Sequence, residues 1–216
     1  QFWFFGALII IYICLPVLKK FLNSKRSYLY ILSVLLVVGL IFEITNIVLQ
    51  MPIQTYVIQT FRLWTWFFYY LLGGFIAQFD KDIIKNRFKR WMKIIVVLLF
   101  LVSPLILFFL ARTTYHNSFA EYFYDLLFVK VVSLGIFLTI FSLALNQDNN
   151  KWIVFLSNQT MGVFIIHTYI MKLWGKLFGF SFVGAYLLFA IFTLCVSFII
   201  VGMLMKIPYF SRIVKL

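Results

Sequence analysis

The sequence predicts an all-α fold, a polytopic membrane helix bundle with about seven transmembrane helices, and three observations predict it. Composition is the first. Of 216 residues, 64% are hydrophobic and 12% charged, with a mean hydropathy of +1.04, whereas a soluble domain is roughly half apolar and a quarter charged. The 28 Phe, 12 Tyr and 6 Trp are more aromatic surface than a water-soluble globule of this size can hide.

Segment length is the second observation. The apolar runs 2–18, 28–48, 61–79, 93–111, 124–145, 153–174 and 182–205 approach or reach the ~20 residues that cross a bilayer as a helix. The ten-residue alternating segments of a β-barrel are absent, and no gap between runs is long enough for a soluble domain. The chain therefore reads as a single transmembrane domain, 1–216.

Charge placement is the third. Net charge is +13, and the cations sit in alternate connections. Lys19, Lys20, Lys25 and Arg26 follow the first run, while 49–60 carries no charge. Lys81, Lys85, Arg87, Lys89, Arg90 and Lys93 follow the third, and Arg112, His116 and Glu121 are the ionisable groups after the fourth. Asp148 and Lys151 lie after the fifth, and Lys206, Arg212 and Lys215 in the tail. Only the turn with Lys172 and Lys176 departs from the alternation. By the positive-inside rule, residue 1 lies outside and the C-terminus in the cytoplasm, and nucleic acid is excluded as the partner of this charge. The chain starts on Gln1 with no charged n-region. That is unlike a signal peptide and reads as an N-terminally truncated piece. A start in the cytoplasm would require an odd number of preceding helices.

The elements follow in order. The first run carries Pro16 near its inner end, and the second carries Glu43 near its outer end. The third opens on Arg62 and places Arg62, Trp66, Tyr69 and Gly73 on one stripe at helical spacing. Its Gly73–Gly74 pair would admit a close neighbour. Segment 80–92 interleaves cations with Ile83, Ile84, Phe88 and Trp91, which suits either an amphipathic headgroup helix or a solvated loop. Pro104 sits midway along the fourth run, a position that can kink it. Lys130 and Ser133 share a face of the fifth, and Ser157, Thr160, His167 and Met171 a face of the sixth. Cys14 and Cys195 lie in separate apolar runs and read as packing residues.

Glu43, Arg62, Lys130 and His167 are ionisable groups at depth, all in the expected outer half of the membrane. Such residues face an interior or a cavity and pair with one another, so Glu43 is a candidate partner for Arg62 or Lys130. Each also has a plainer reading. Arg62 can snorkel to headgroups, Lys130 can neutralise Glu43 or Asp125, and a single interior histidine is more often structural than catalytic. Soluble-enzyme motifs such as G-x-S-x-G, the P-loop, C-x-x-C and H-E-x-x-H are missing. His116 and His167 lack ligand neighbours, so no metal is expected. Asn158-Gln159-Thr160 matches a glycosylation acceptor, but its place in a span argues against use.

Three stretches together resemble the membrane acyltransferase 3 family. QFWFFGALIIIYICLPVLKKF resembles its H-L-W-F-x-x-A-L-I-x-x-Y-x-x-x-P segment, FRLWTWFFYYLLGGFIAQF its R-x-x-x-W-x-x-Y-F-x-x-G helix, and LSNQTMGVFIIHTYIM its S-x-x-S/T-x-x-I-Y-x-x-H-x-x-x helix. Trp3, Tyr12, Pro16, Arg62, Trp66 and His167 fit these motifs. Gln1 stands where relatives often carry His, and Phe164 where they carry Tyr. Family members usually have about ten helices, so the resemblance implies three missing before residue 1, an odd number as the charge requires.

The resemblance implies O-acyl transfer, commonly of acetyl, from acyl-CoA such as acetyl-CoA to a hydroxyl of a cell-envelope polysaccharide or lipid-linked sugar. It also implies a bacterial cytoplasmic membrane. No bound cofactor is expected, the acyl-CoA being a donor substrate. The family's principal histidine belongs to a first helix that this sequence lacks, so His167 takes a supporting or acceptor-side role. The expected catalytic residues are His167 and Arg62, with Trp3, Glu43, Trp66 and Lys130 on the substrate. A polysaccharide or lipid-linked-sugar transporter is the rival, since it would use the same outer cavity. An Arg followed about ten residues later by His upstream would favour the enzyme.

Overall fold

A computed structural model describes residues 3–79, 84, 88–116, 123–144, 151–177 and 183–209. Among these residues every regular element is helical. Two compact units make up the chain, Gln1–Asn146 and Gln147–Leu216. The first holds α1 (Trp3–Phe21), α2 (Lys25–Leu49), α3 (Leu63–Ile76), α4 (Arg90–Thr113) and α5 (Leu127–Ala144). It also holds 3-10 turns at Ile53–Tyr56, Gln59–Phe61 and Phe123–Asp125. The second holds α6 (Lys151–Leu177) and α7 (Val183–Leu204).

Among the described residues, α1, α2 and α4 are long and apolar enough to cross a membrane, and Leu63–Ile76, Leu127–Leu143 and Leu188–Leu204 are shorter apolar helices. α6 falls in neither group; Ser157–Thr160, His167, Lys172 and Lys176 dilute its apolar sequence.

Helix bounds depart from the apolar runs for local reasons. α2 starts at Lys25, before the run expected at 28, because Ser24 caps it: backbone extended (φ −144°, ψ 156°), its Oγ accepting the Ser27 N–H at 3.1 Å. It ends where Gln50 turns left-handed at φ 52°. α4 begins at Arg90 and ends at Thr113, taking charged flanks into the helix. Apolar runs mark the hydrocarbon depth, and hydrogen bonding carries a helix beyond it.

The third run behaves in the opposite way. The expected span 61–79 keeps only Leu63–Ile76 as α-helix. Phe61 belongs to a 3-10 turn closed by Phe61 N–H on Ile58 O (2.8 Å), and Arg62 is the cap residue. At the other end Gln78 and Phe79 tighten into i−3 bonds on Phe75 and Ile76. α5 starts at Leu127 and not at 124, because Phe123–Asp125 forms the third 3-10 turn. Segment 80–92, read as either an amphipathic helix or a solvated loop, lies mostly outside the described residues, and Gln1 lies outside them too. α1 and α4 run through Pro16 and Pro104, and Cys14 and Cys195 are free thiols.

In the first unit α2 packs on α3 through Leu32, Phe68 and Leu71, with Leu35, Leu36, Leu72 and Phe75 around them. α4 packs on α5 through Ala111, Tyr115, Phe123 and Leu126. Of the glycine pair on α3, Gly74 takes the close approach: a Cβ there would stand 2.7 Å from the Tyr28 hydroxyl, while Gly73 faces open space. The first unit exposes large apolar side chains and buries a set of polar ones beside its apolar core. Leu101, Leu105 and Phe109 of α4 are exposed, whereas Asn46, Gln54, Arg62, Thr65, Asp125 and Lys130 are buried.

In the second unit α6 and α7 form an antiparallel pair. Trp174 meets the Phe192 ring edge-on at 5.0 Å near one end, and Gln159 lies beside Gly202 near the other.

Candidate active site

The N-terminus of α1, the C-terminus of α2 and the N-termini of α3 and α5 lie at one end of the first unit, opposite Lys19, Lys20, Lys25 and Arg26. The polar residues gather at that end, and a carboxylate holds them. Asp125, 2% exposed, accepts hydrogen bonds from Trp64 Nε1 (3.1 Å), Gln54 Nε2 (3.3 Å) and the Thr65 hydroxyl. Lys130 Nζ lies 4.0 Å from Asp125 Oδ1. A buried charge is tolerated where a counter-charge and hydrogen bonds satisfy it, and Asp125 has both. Gln54 is itself fixed by Asn46, whose Nδ2 donates to Gln54 Oε1 at 2.6 Å and whose Oδ1 accepts the Ile53 N–H at 2.9 Å.

Each sequence-predicted residue of the first unit has a definite place around this hub. Lys130, 4% exposed, sits with its ammonium 5.1 Å from the Phe68 ring centre and against Gly39, whose missing Cβ leaves it room. Glu43 makes a different contact from the expected one. Its Oε2 accepts the Leu127 N–H at 2.9 Å and so caps α5, and the ion pair of Lys130 is with Asp125. A helix N-terminus offers unsatisfied N–H groups and a partial positive charge, so a carboxylate opposite Leu127 is well placed.

Arg62 is 5% exposed, so it is buried and does not snorkel. Its Nε donates to Val57 O at 3.1 Å, and its own carbonyl accepts the N–H groups of Thr65 (3.1 Å) and Trp66 (3.3 Å). Trp66 donates Nε1–H to Gln59 O at 2.7 Å and stacks on Trp3, with ring centres 4.5 Å apart and planes at 25°. Tyr124 leans on both rings, 5.5 Å from Trp66 and 6.1 Å from Trp3. The structure thus brings Trp3 and Trp66 into contact and links Arg62 to Lys130 through Thr65 and Asp125. Tyr69, on the expected stripe, donates to Tyr124 O at 3.0 Å. Below it, a cavity of about 270 Å³ opens between α3 and α5, lined by Tyr69, Gly73, Ile76, Ser133 and Phe137 among others.

The matching family is described as an acyltransferase domain, and it matches residues 1–202. The chain belongs to the acyltransferase 3 family. It is accordingly a membrane acyltransferase. No curated protein and no solved structure matches the chain.

In this acyltransferase His167 belongs to the second unit, on α6. Its Nδ1 lies 3.0 Å from Val163 O, one turn earlier, and its ring is 5.8 Å from Phe164. A carbonyl oxygen only accepts, so this bond places the hydrogen on Nδ1 and leaves the lone pair on Nε2. Neutral His167 therefore has the tautomer of a base at Nε2.

Sequence reasoning missed the hub. Asp125 entered it only as a possible neutraliser of Lys130, and Trp64, Thr65, Gln54 and Asn46 did not enter. Asp125 stands at the edge of an apolar run, where acidic residues are usually solvated. Asn46 was the available signal, an amide with hydrogen-bonding needs inside an expected span.

Proposed function

We propose that this membrane acyltransferase moves an acyl group, with acetyl the expected one, from an acyl-CoA to a hydroxyl of a cell-envelope carbohydrate. The family match across residues 1–202 carries the reading. The polar hub inside an otherwise apolar bundle supports it, because buried ionisable groups at membrane depth are costly and accompany function. Acyl transfer needs a base for the attacking hydroxyl and positive charge near the developing oxyanion. His167 offers the first at Nε2 on the acceptor side. Arg62 offers the second as a fixed buried cation, and Lys130 adds positive charge to the same end. The stacked Trp3–Trp66 pair offers an aromatic face of the kind a sugar ring packs on. The acyl-CoA is a substrate and not a resident cofactor. On the charge pattern, the donor reaches a cytoplasmic face and the acceptor an outer one.

The test is incorporation of labelled acetyl from acetyl-CoA into envelope carbohydrate by membranes containing the protein. His167→Ala and Arg62→Ala are each expected to lower the rate about 10²-fold, the lower range for losing an acid–base group or an oxyanion contact. Unchanged incorporation in both variants would remove these residues from the site.

A further inference from the structure

We propose that Asp125 is a positioning residue of the transfer site, acting through Thr65 to hold the first turn of α3 and, with it, Arg62 and Trp66. The kinetic part rests on the acyl-transfer reading; the geometric part does not. Thr65 is 1% exposed and grips the turn at both ends of its own residue. Its backbone N–H donates to the Arg62 carbonyl at 3.1 Å, and its hydroxyl donates to Asp125 Oδ1. Trp64, the preceding residue, donates its indole N–H to the same carboxylate oxygen at 3.1 Å and stacks on Phe42 of α2 at 4.5 Å.

Two consecutive side chains of one helical turn are thus tied to one carboxylate, itself fixed by Gln54 and Lys130. The turn needs such a tie, because Arg62, the N-cap of α3, makes no side-chain cap bond. The opening N–H groups of a helix are unsatisfied from within, so a turn without a cap can fray unless tertiary contacts hold it. Arg62 and Trp66 leave from this turn, and Trp66 meets Trp3 only if the turn stays in register. Asp125 bonds to Trp64, Thr65 and Gln54 and pairs with Lys130, so it reaches Arg62 and Trp66 through Thr65, which makes its role positional.

The experiment uses the intact protein in lipid nanodiscs and reads two signals. One is the tryptophan exciton band in circular dichroism, with Trp66→Phe defining the share due to the Trp3–Trp66 stack. The other is kcat/KM for acyl transfer. Thr65→Val removes the hydroxyl with no change of shape or charge, and Thr65→Ser keeps it. Thr65→Val is expected to lose more than half of the Trp66-dependent band. It is also expected to lower kcat/KM about tenfold, equivalent to roughly 1.4 kcal/mol, compared at matched folded amounts. Thr65→Ser is expected to restore both signals. The Asp125→Leu/Lys130→Met double variant, which keeps the buried charge balanced, is expected to lose the band as well. Adding Thr65→Val to it should cost nothing further, because coupled residues are not additive.

A Thr65→Val protein with an intact band and wild-type kinetics overturns the proposal. So does a loss that merely follows the folded fraction, or strict additivity with the double variant. Absence of acyl transfer in the wild type would remove the proposed function, and the band would still decide for or against Asp125.

Discussion

A lysine only 4% exposed survives in this fold because three things meet around its ammonium. Asp125 supplies the counter-charge, Phe68 an aromatic face, and Gly39 the space. Gly39→Ala puts a methyl where Nζ sits. It is expected to cost about 1–3 kcal/mol, the range for overpacking a core, read as a lower melting temperature in detergent. Gly73→Ala is the control; it faces open space and is expected to be neutral or, from helix propensity, slightly stabilising. Equal destabilisation by the two changes would refute the placement of Lys130. Glu43, Arg62, Lys130 and His167 were legible in the sequence because ionisable groups stand out against apolar runs. Their partners were not, since nothing local in Thr65 or Gln54 says that a carboxylate sixty or seventy residues away will meet it.

Elements were legible wherever hydropathy and helix coincide, as in α1 and α4. Reading failed at the α2–α3 connection, where the run from 61 contains a 3-10 turn and a capping arginine before the helix proper. That connection carries no charge and is ordered from beneath by Asn46, which serves Gln54 and Ile53 at once. Asn46→Leu removes the donor to the buried Gln54 Oε1 and the acceptor of the Ile53 N–H. At about 1–3 kcal/mol for each orphaned group, it is expected to melt this region first, with faster hydrogen exchange over 51–62 than in the wild type. Unchanged exchange there would show that the connection is held some other way. At the other end of α2, Ser24→Ala removes the cap bond to Ser27 and is expected to cost about 1 kcal/mol, a loss that Ser24→Asp should largely avoid.

At the scale of the whole molecule, solvent preference is inverted: Leu101 and Phe109 face outward while Asp125 and Gln54 are buried. A bilayer rewards this arrangement and water penalises it. The polar hub lies at the end opposite Lys19, Lys20, Lys25 and Arg26, and we propose, on the positive-inside rule, that this end faces outward. Single cysteines placed by Tyr56→Cys and Ser24→Cys, in a background without Cys14 and Cys195, test the orientation. An impermeant maleimide added to intact cells is expected to label position 56 and spare position 24; the reverse pattern would invert the topology. The fold class was readable from composition because a membrane imposes it on every residue at once. The division into two units was not, because it depends on which helices pack together and not on how apolar each one is.

The central claim, a proposal, is that this chain takes part in acyl transfer and that Arg62 of the first unit and His167 of the second are each needed for it. Transfer of radiolabelled acetyl from acetyl-CoA to envelope carbohydrate, compared among the wild type, Arg62→Ala and His167→Ala at matched folded amounts, tests it most directly. The expected result is label in the wild type and a loss of about 10²-fold in each variant. Equal labelling in all three would contradict the account.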